Sequence, residues 1–250
     1  MANEIIAEFI GTFLLLLLGN GVVANVVLKG TKGHASGWIV ISMGWGLAVF
    51  IGVAVAGPVS GAHINPAVSL GLATAGLFPW AKVVPFILAQ VAGGAAGGFT
   101  VWLFYRDHFN QTADPAGQLG CFSTAPAIRN IPLNFLNELI GTFVLIFVIL
   151  YIAEPSISLG EISKAQIKLK TLGALPVALL VTAIGLSLGG TTGYAINPAR
   201  DLGPRIMHAL LPMKGKGSSD WTYSWVPVFG PFAGALVAAG LYLIHANIFK

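Results

Sequence analysis

The sequence predicts an all-α membrane protein with six transmembrane helices and two re-entrant half-helices, arranged as two inverted three-span repeats. Of its 250 residues, 56% are hydrophobic and only 9% are charged, whereas soluble domains carry about 25% charged residues. The motif Asn-Pro-Ala occurs twice. Six apolar segments lie near residues 5–28, 38–57, 81–105, 133–153, 174–190 and 224–248. Because lipid satisfies no backbone hydrogen bonds, apolar segments of this length must be helices.

Each copy of Asn-Pro-Ala predicts the start of a short helix. Asn is a strong N-cap residue, and Pro suits the first helical position, where its missing N–H has no partner to lose. Pro79 blocks the first helix, and Gly203-Pro204 is expected to interrupt or bend the second. About 10 residues of each are helix-compatible, too few to cross a bilayer. The two copies are Asn65, Pro66, Ala67 and Asn197, Pro198, Ala199.

An internal duplication is visible in the sequence. Residues 7–13 match residues 137–143, and the two Asn-Pro-Ala motifs are 132 residues apart. The predicted single channel domain therefore has halves of about 1–130 and 131–250. Three spans per half is an odd number, so the halves must have opposite topology. The half-helices then enter from opposite faces, and their N-termini meet near the midplane.

Composition and motifs argue against several functions. The net charge of +4 comes without a basic, aromatic-interleaved patch, so no nucleic-acid partner is expected. Cys121 is the single cysteine, which excludes an intramolecular disulfide. Histidines and carboxylates show no metal-ligand spacing, and no nucleophile–base pair or phosphate-binding loop is present. We therefore expect no metal, no cofactor and no enzyme activity.

The N-terminus is read as a first span and not a cleaved signal, because Glu4 and Glu8 precede its leucine run. Both termini are expected on the cytoplasmic side of a bacterial inner membrane. The lysines of the 154–173 loop fit that orientation, although the basic residues taken together do not decide it.

The paired Asn-Pro-Ala motifs, the repeated Glu-x-x-Gly-Thr-Phe spans and the six-span hydropathy together resemble the major intrinsic proteins, the aquaporins and glycerol facilitators. Asp201 directly after Arg200 is similar to the glycerol-facilitator branch. The resemblance implies a homotetramer in the cell membrane with one pore per subunit. Each pore would pass glycerol, water and other small uncharged polar solutes and exclude protons and ions.

The resemblance also assigns a narrow selectivity filter to Trp45, Gly185, Tyr194 and Arg200. Gly185 would leave room that a water-only channel fills with His. Tyr194 stands where glycerol facilitators more often have Phe, and its hydroxyl would either narrow the opening or add a polar contact. Arg200 within a span is costly, so it should face a wet cavity; the alternative is snorkelling to the interface.

Irregular backbone before each half-helix must line a cavity at membrane depth. By family analogy, its carbonyls form a ladder of acceptors. Asn65 and Asn197 would cap their helices and offer NH₂ groups to the solute, or else act as caps alone. His63 is either part of the pore lining, which we favour, or a buried structural histidine. The carbonyls are those of Gly61, Ala62, His63, Tyr194, Ala195 and Ile196.

Two carboxylates, Glu8 and Glu138, lie at equivalent positions within spans. We expect each to accept N–H bonds from the adjacent irregular segment, with Asp201 in a further supporting role. A proton relay is the alternative.

Two other functions remain open at this stage. A water-selective pore is disfavoured by Gly185 and Asp201. An ion-coupled secondary transporter also uses inverted repeats and broken helices, but no carboxylate pair is expected at the midplane to carry the coupling ion.

Overall fold

The computed structural model describes residues 1–152 and 170–248, and every regular element in those ranges is helical. Residues 153–169, which include most of the predicted lysine-rich loop at 154–173, lie outside the described residues. The helices are α1 Ala2–Val27, α2 Trp38–Ser60, α3 Pro66–Thr74, α4 Trp80–Phe104, α5 Arg106–Gln111, α6 Pro115–Gly120, α7 Ile131–Tyr151, α8 Leu175–Leu188, α9 Pro198–Leu210 and α10 Trp225–Ile248.

Five of the described helices, α1, α2, α4, α7 and α10, are long and apolar enough to cross a membrane. The span predicted at 174–190 is built differently, because α8 has only 14 residues and follows a 3-10 helix, Lys170–Ala174. At 1.5 Å per α-helical residue and 2.0 Å per 3-10 residue, the two pieces laid end to end have a combined rise of about 31 Å. That length matches the ~30 Å hydrocarbon core of a bilayer.

The half-helices are α3 and α9, and each is capped as the motif predicts. The Asn65 Oδ1 atom accepts the N–H of Ala67 at 2.9 Å, and Asn197 Oδ1 accepts that of Ala199 at 3.0 Å. The sequence predicts that Gly203-Pro204 interrupts or bends the second half-helix; the interruption is wrong, because α9 runs for 13 residues through both. A Cβ placed at Gly98 of α4 would lie 2.9 Å from the Pro204 Cβ, so this bare backbone gives the proline ring room inside the fold.

The two halves interlock through their half-helices. Helix α3 packs on α10, the last helix of the other half, and α9 packs on α4 in the same way. Helix α1 lies against α2 and α4, α7 lies against α10, and α2 meets α8. Gly93 and Gly234 permit equivalent close contacts with Phe9 and Leu139, whereas a side chain at Gly240 would meet open space. Because each half-helix packs on a long helix of the other half, the two capped N-termini come together.

The connection from α4 to α7 contains two short helices that the sequence did not predict, α5 and α6. The buried Gln118 Nε2 donates to the carbonyls of Phe109 and Thr112, and also to that of Lys214 beyond α9. Cys121 is fully buried beside it. The connection is thereby fixed to the segment that follows α9.

Candidate functional site

A cavity of about 410 Å³ contains residues from both halves of the chain and both motif asparagines. Its lining is of two kinds. One part is polar and comes from the irregular segments 61–65 and 194–197 and from Arg200. The other part consists of aliphatic side chains from five helices: Leu15, Val49, Val53, Val68, Leu72, Leu145, Ile149, Val177 and Val181.

The polar lining rests on a backbone conformation that recurs in both halves. Ala62 and Ile64 have φ angles of 51° and 42°, and their counterparts Tyr194 and Ile196 have 37° and 42°. Left-handed backbone costs an L-residue roughly 1–2 kcal/mol, so the surroundings must hold it in place. Among residues 1–152 and 170–248, no hydrogen bond reaches the following carbonyls, which are free to accept from a solute: Gly61, Ala62, His63, Tyr194 and Ala195.

Glu8 holds the first irregular segment. Its Oε1 accepts the Ser60 hydroxyl at 2.6 Å and the His63 N–H at 2.9 Å. Its Oε2 accepts the Ile64 N–H and the Gln90 amide, both at 2.7 Å. The side chain is fully buried and does not line the cavity. Two of these bonds satisfy backbone N–H groups of the segment, those of His63 and Ile64, and so hold it in place beside the cavity.

Glu138 makes the equivalent contacts in the second half. Oε1 accepts the Thr192 hydroxyl at 2.7 Å and the Ala195 N–H at 3.0 Å, and Oε2 accepts the Ile196 N–H at 2.9 Å. It too is buried away from the cavity lining. The N–H contacts expected for both glutamates are therefore present, and nothing in this geometry favours a proton relay.

The two asparagines connect the halves as well as capping their helices. Asn65 Nδ2 donates to the Ile196 carbonyl at 2.8 Å, and Asn197 Nδ2 donates to the Ile64 carbonyl at 2.9 Å. Capping alone is thus not their whole role. A side-chain amide has two N–H donors, so each Asn keeps a second one, and both residues line the cavity. The Ile196 carbonyl was predicted to accept hydrogen bonds from the solute, but it accepts one from Asn65. The Ile64 carbonyl, which was not predicted to lie in the site, accepts the equivalent bond from Asn197.

Arg200 is buried at the cavity and does not snorkel, with 7% of its surface exposed. Its Nη1 lies 3.4 Å from both the Asn20 Oδ1 and the Phe122 carbonyl oxygen. The guanidinium carbon lies 4.2 Å from the centroid of the Trp45 ring, within the range of a cation–π contact. Trp45, Tyr194 and Arg200 all line the cavity, but sequence reasoning missed Asn20 and Phe122.

Gly185 was expected to leave room for the solute, but it does not line the cavity. A Cβ built on it would lie 2.8 Å from the Cζ atom of Tyr194, and Gly189 also faces that ring. Trp38 meets the ring edge-on at 5.8 Å and donates its indole N–H to the Gly185 carbonyl at 2.9 Å. The space that Gly185 opens therefore accommodates the Tyr194 ring and not the solute, because glycine lets the ring lie against the α8 backbone.

His63 lines the cavity, but its side chain has partners of its own within the protein. Its ring packs edge-on against Phe78 and Phe86, and Nδ1 lies 2.9 Å from the Ser69 hydroxyl. The side chain is thus the structural histidine that the sequence analysis held as its alternative, while the residue still contributes to the cavity lining.

Asp201 forms a buried bidentate pair with Arg205, which sequence reasoning overlooked. Arg205 Nε and Nη2 donate to the two carboxylate oxygens at 2.6 and 2.9 Å, and both side chains are fully buried. Thr124 donates its N–H and hydroxyl to Asp201, while Arg205 Nη1 reaches the Ser219 carbonyl. The pair joins the segment that carries the Phe122 carbonyl to the segment after α9, and so supports the environment of Arg200.

The part of the chain that the structure describes contains no group of three or more His, Cys, Asp or Glu side chains that could hold a metal ion.

Comparison with known proteins places this geometry in a family. The sequence profile described as "Major intrinsic protein" matches residues 1–242. The chain belongs to the major intrinsic protein family. Its membership confirms the aquaporin-like helical membrane fold predicted from the sequence, and this is a family of passive channels rather than enzymes.

Similar members of the family cover almost the whole chain. Glycerol uptake facilitator protein 3 of Lactiplantibacillus plantarum is 52% identical over 97% of this chain and 96% of its own length. The probable glycerol uptake facilitator protein of Thermotoga maritima is 53% identical over 95% and 97%. The X-ray structure of the aquaglyceroporin from Plasmodium falciparum is 35% identical, with a TM-score of 0.79 over 96% of this chain and 95% of that one.

Proposed function

We propose that this protein is a passive transmembrane channel for glycerol, water and other small uncharged polar solutes. The observation that carries the proposal is the two-sided cavity. Its polar part has carbonyls that no other described residue pairs with, and its other part has aliphatic side chains. Glycerol has the same two-sided character, with hydroxyl groups along one side and C–H groups along the other. Its hydroxyls can replace water hydrogen bonds with carbonyl ones while its carbons contact the apolar wall. The similarity to glycerol uptake facilitators supports this substrate class.

Charge exclusion follows from the same residues. Each half-helix N-terminus carries roughly half a positive charge, and the crossed bonds of Asn65 and Asn197 place the two ends against each other. Arg200 adds a full positive charge on the cavity wall. Helix dipole ends and an arginine suffice to exclude protons and cations from a pore.

We assign the selectivity filter to Trp45, Tyr194 and Arg200, with Gly185 acting through the Tyr194 ring. The two aromatic rings supply an apolar wall, and the guanidinium supplies donors. The cation–π contact between Arg200 and Trp45 supports this grouping. The motif asparagines and the free carbonyls continue the polar path, while Glu8, Glu138 and Asp201 serve as its supports.

Stopped-flow light scattering on vesicles containing the purified protein separates the candidate functions. A glycerol channel gives fast swelling in glycerol gradients and fast water flux. A water-selective pore gives water flux alone, and an ion-coupled transporter gives slow, saturable uptake that needs an ion gradient. Glycerol flux no faster than that of protein-free vesicles refutes the proposal.

We further propose a homotetramer in the lipid bilayer of a bacterial inner membrane, with both termini cytoplasmic. The bacterial sources of the similar glycerol facilitators support the location, and the apolar exposed faces of the long helices suit lipid. Native mass spectrometry tests the tetramer. Reporter fusions that are active on one side of the membrane test the orientation, and a periplasmic C-terminus would refute it.

A further inference from the structure

Two buried hydroxyl groups beside the proposed filter have no hydrogen-bond partner among the residues that the structure describes. The Tyr194 and Ser42 side chains are 7% and 0% exposed, and within the described residues neither hydroxyl makes a hydrogen bond. The Tyr194 hydroxyl oxygen has essentially no accessible surface, although the residue lines the cavity. The hydroxyl therefore points into the protein, so it makes no polar contact with a solute in the cavity.

The surroundings show where the hydroxyl goes. Its oxygen would lie 2.9 Å from a Cβ built on Gly185, which places it on the surface of α8. Trp38, Ser42 and Gly46 are spaced four residues apart and so share one face of α2. Trp38 donates to the Gly185 carbonyl, and Gly46 closely approaches Thr182, so this face packs on α8. Ser42 lies between these two contacts, and its hydroxyl is near enough to interact with that of Tyr194.

Two neighbouring hydroxyls that lack a partner among the described residues can satisfy each other. A hydroxyl rotates freely and can both donate and accept, and a buried one left unpaired is costly. We propose that the Ser42 and Tyr194 hydroxyls bond to each other, and that Ser42 is thereby a positioning residue that fixes the Tyr194 ring in the filter.

The bond has a consequence for specificity, which rests on the proposed glycerol channel. Trp45 follows Ser42 by three residues on α2, so one helix holds both aromatic walls of the filter. An anchored Tyr194 ring keeps its distance to Arg200 constant. A ring without this bond can move, so the largest solute that fits through the filter is less sharply defined. Ser42 therefore sharpens discrimination between three-carbon and longer polyols without touching the solute.

A double-mutant cycle tests this proposal on the full-length protein in vesicles. The variants are Ser42→Ala, Tyr194→Phe and the two combined, and the readout is the ratio of glycerol to erythritol permeability. Each single variant is expected to lower the ratio about threefold, and the double variant is expected to lower it no further, because contacting residues are not additive. The same non-additivity is expected in the midpoint of thermal unfolding, since the double variant leaves no hydroxyl unpaired.

Tyr223→Phe is the matched control. It also removes a buried phenol hydroxyl that has no hydrogen-bond partner in the described part of the chain, but Tyr223 is not part of the cavity lining. Combined with Ser42→Ala it should give purely additive effects. Additive effects of Ser42→Ala with Tyr194→Phe, or a changed ratio in Tyr194→Phe beside an unchanged one in Ser42→Ala, would overturn the proposal. If the unaltered protein passes no glycerol, the proposed function fails, while the unfolding cycle still decides the hydroxyl bond separately.

Discussion

Substitution of Gly185 by Ala provides a sharp test of how the filter is built. The new Cβ would lie 2.8 Å from Tyr194 Cζ, whereas carbon atoms in contact prefer about 3.5–4.0 Å. The Tyr194 ring must therefore retreat by roughly 1 Å. Packed helices leave it little room elsewhere, so we expect it to move toward the cavity and narrow the passage.

The expected size of the effect follows from that displacement. Overpacking of this kind costs about 1–3 kcal/mol. We expect glycerol permeability to fall about tenfold, which corresponds to a barrier higher by about 1.4 kcal/mol. Water, being narrower, should lose much less of its permeability.

Stopped-flow measurements of both solutes on the same vesicle preparation provide the assay. Gly190→Ala is the matched control, because a Cβ at Gly190 meets no atom within 4 Å, and it should leave both permeabilities unchanged. Unchanged glycerol flux in Gly185→Ala would show that the Tyr194 ring does not set the opening. Equal loss of water and glycerol flux would place the constriction elsewhere.

Three further predictions concern buried charges. Arg200→Val should still pass glycerol but add a small proton and sodium conductance, whereas Arg200→Lys should keep cation exclusion and lose solute discrimination, because lysine lacks the planar fork; unchanged conductance and selectivity in Arg200→Val would remove this residue from the filter. Glu8→Gln should lower stability by roughly 3 kcal/mol, since hydrogen bonds to charged groups contribute about 1.5–3 kcal/mol each, and Glu4→Gln on the same helix is the control for thermal unfolding; a changed pH dependence of flux with unchanged stability would instead indicate a relay. Asp201→Asn should lower the free energy of unfolding by about 3–5 kcal/mol, because it leaves the buried Arg205 guanidinium unpaired. Asp220→Asn, which removes a more exposed ion pair, should lower it by at most ~1 kcal/mol. Equal midpoints of thermal unfolding for these two variants would contradict this prediction.

Local and repeated features were the predictable ones. An Asn-Pro pair specifies a capped helix start through its own side chain and ring, so α3 and α9 could be placed from the motif alone. The contacts of Glu8 and Glu138 could be anticipated because the duplication puts both beside irregular backbone that needs acceptors. The extent of α9 could not, because only its packing on Gly98 shows that Pro204 is tolerated within the helix.

The misses within the site have a common cause. Asn20 and Phe122 contact Arg200 from positions far away in the chain, and no local pattern marks them. Arg205 has the appearance of an ordinary basic residue until Asp201 and Thr124 are seen around it. The space beside Gly185 was assigned to the solute because the sequence gives no direction for the Tyr194 ring.

The sequence by itself determined that the chain is a duplicated membrane protein with two capped half-helices, since hydropathy, spacing and capping depend on residues that are close along the chain. Only the tertiary structure decided what those helices enclose. The crossed hydrogen bonds of Asn65 and Asn197 and the packing of the Tyr194 ring against Gly185 each join segments that are far apart in the chain or belong to different elements. Such contacts depend on the distances and angles at which helices pack against one another. The spacing of residues along the chain does not specify these distances and angles.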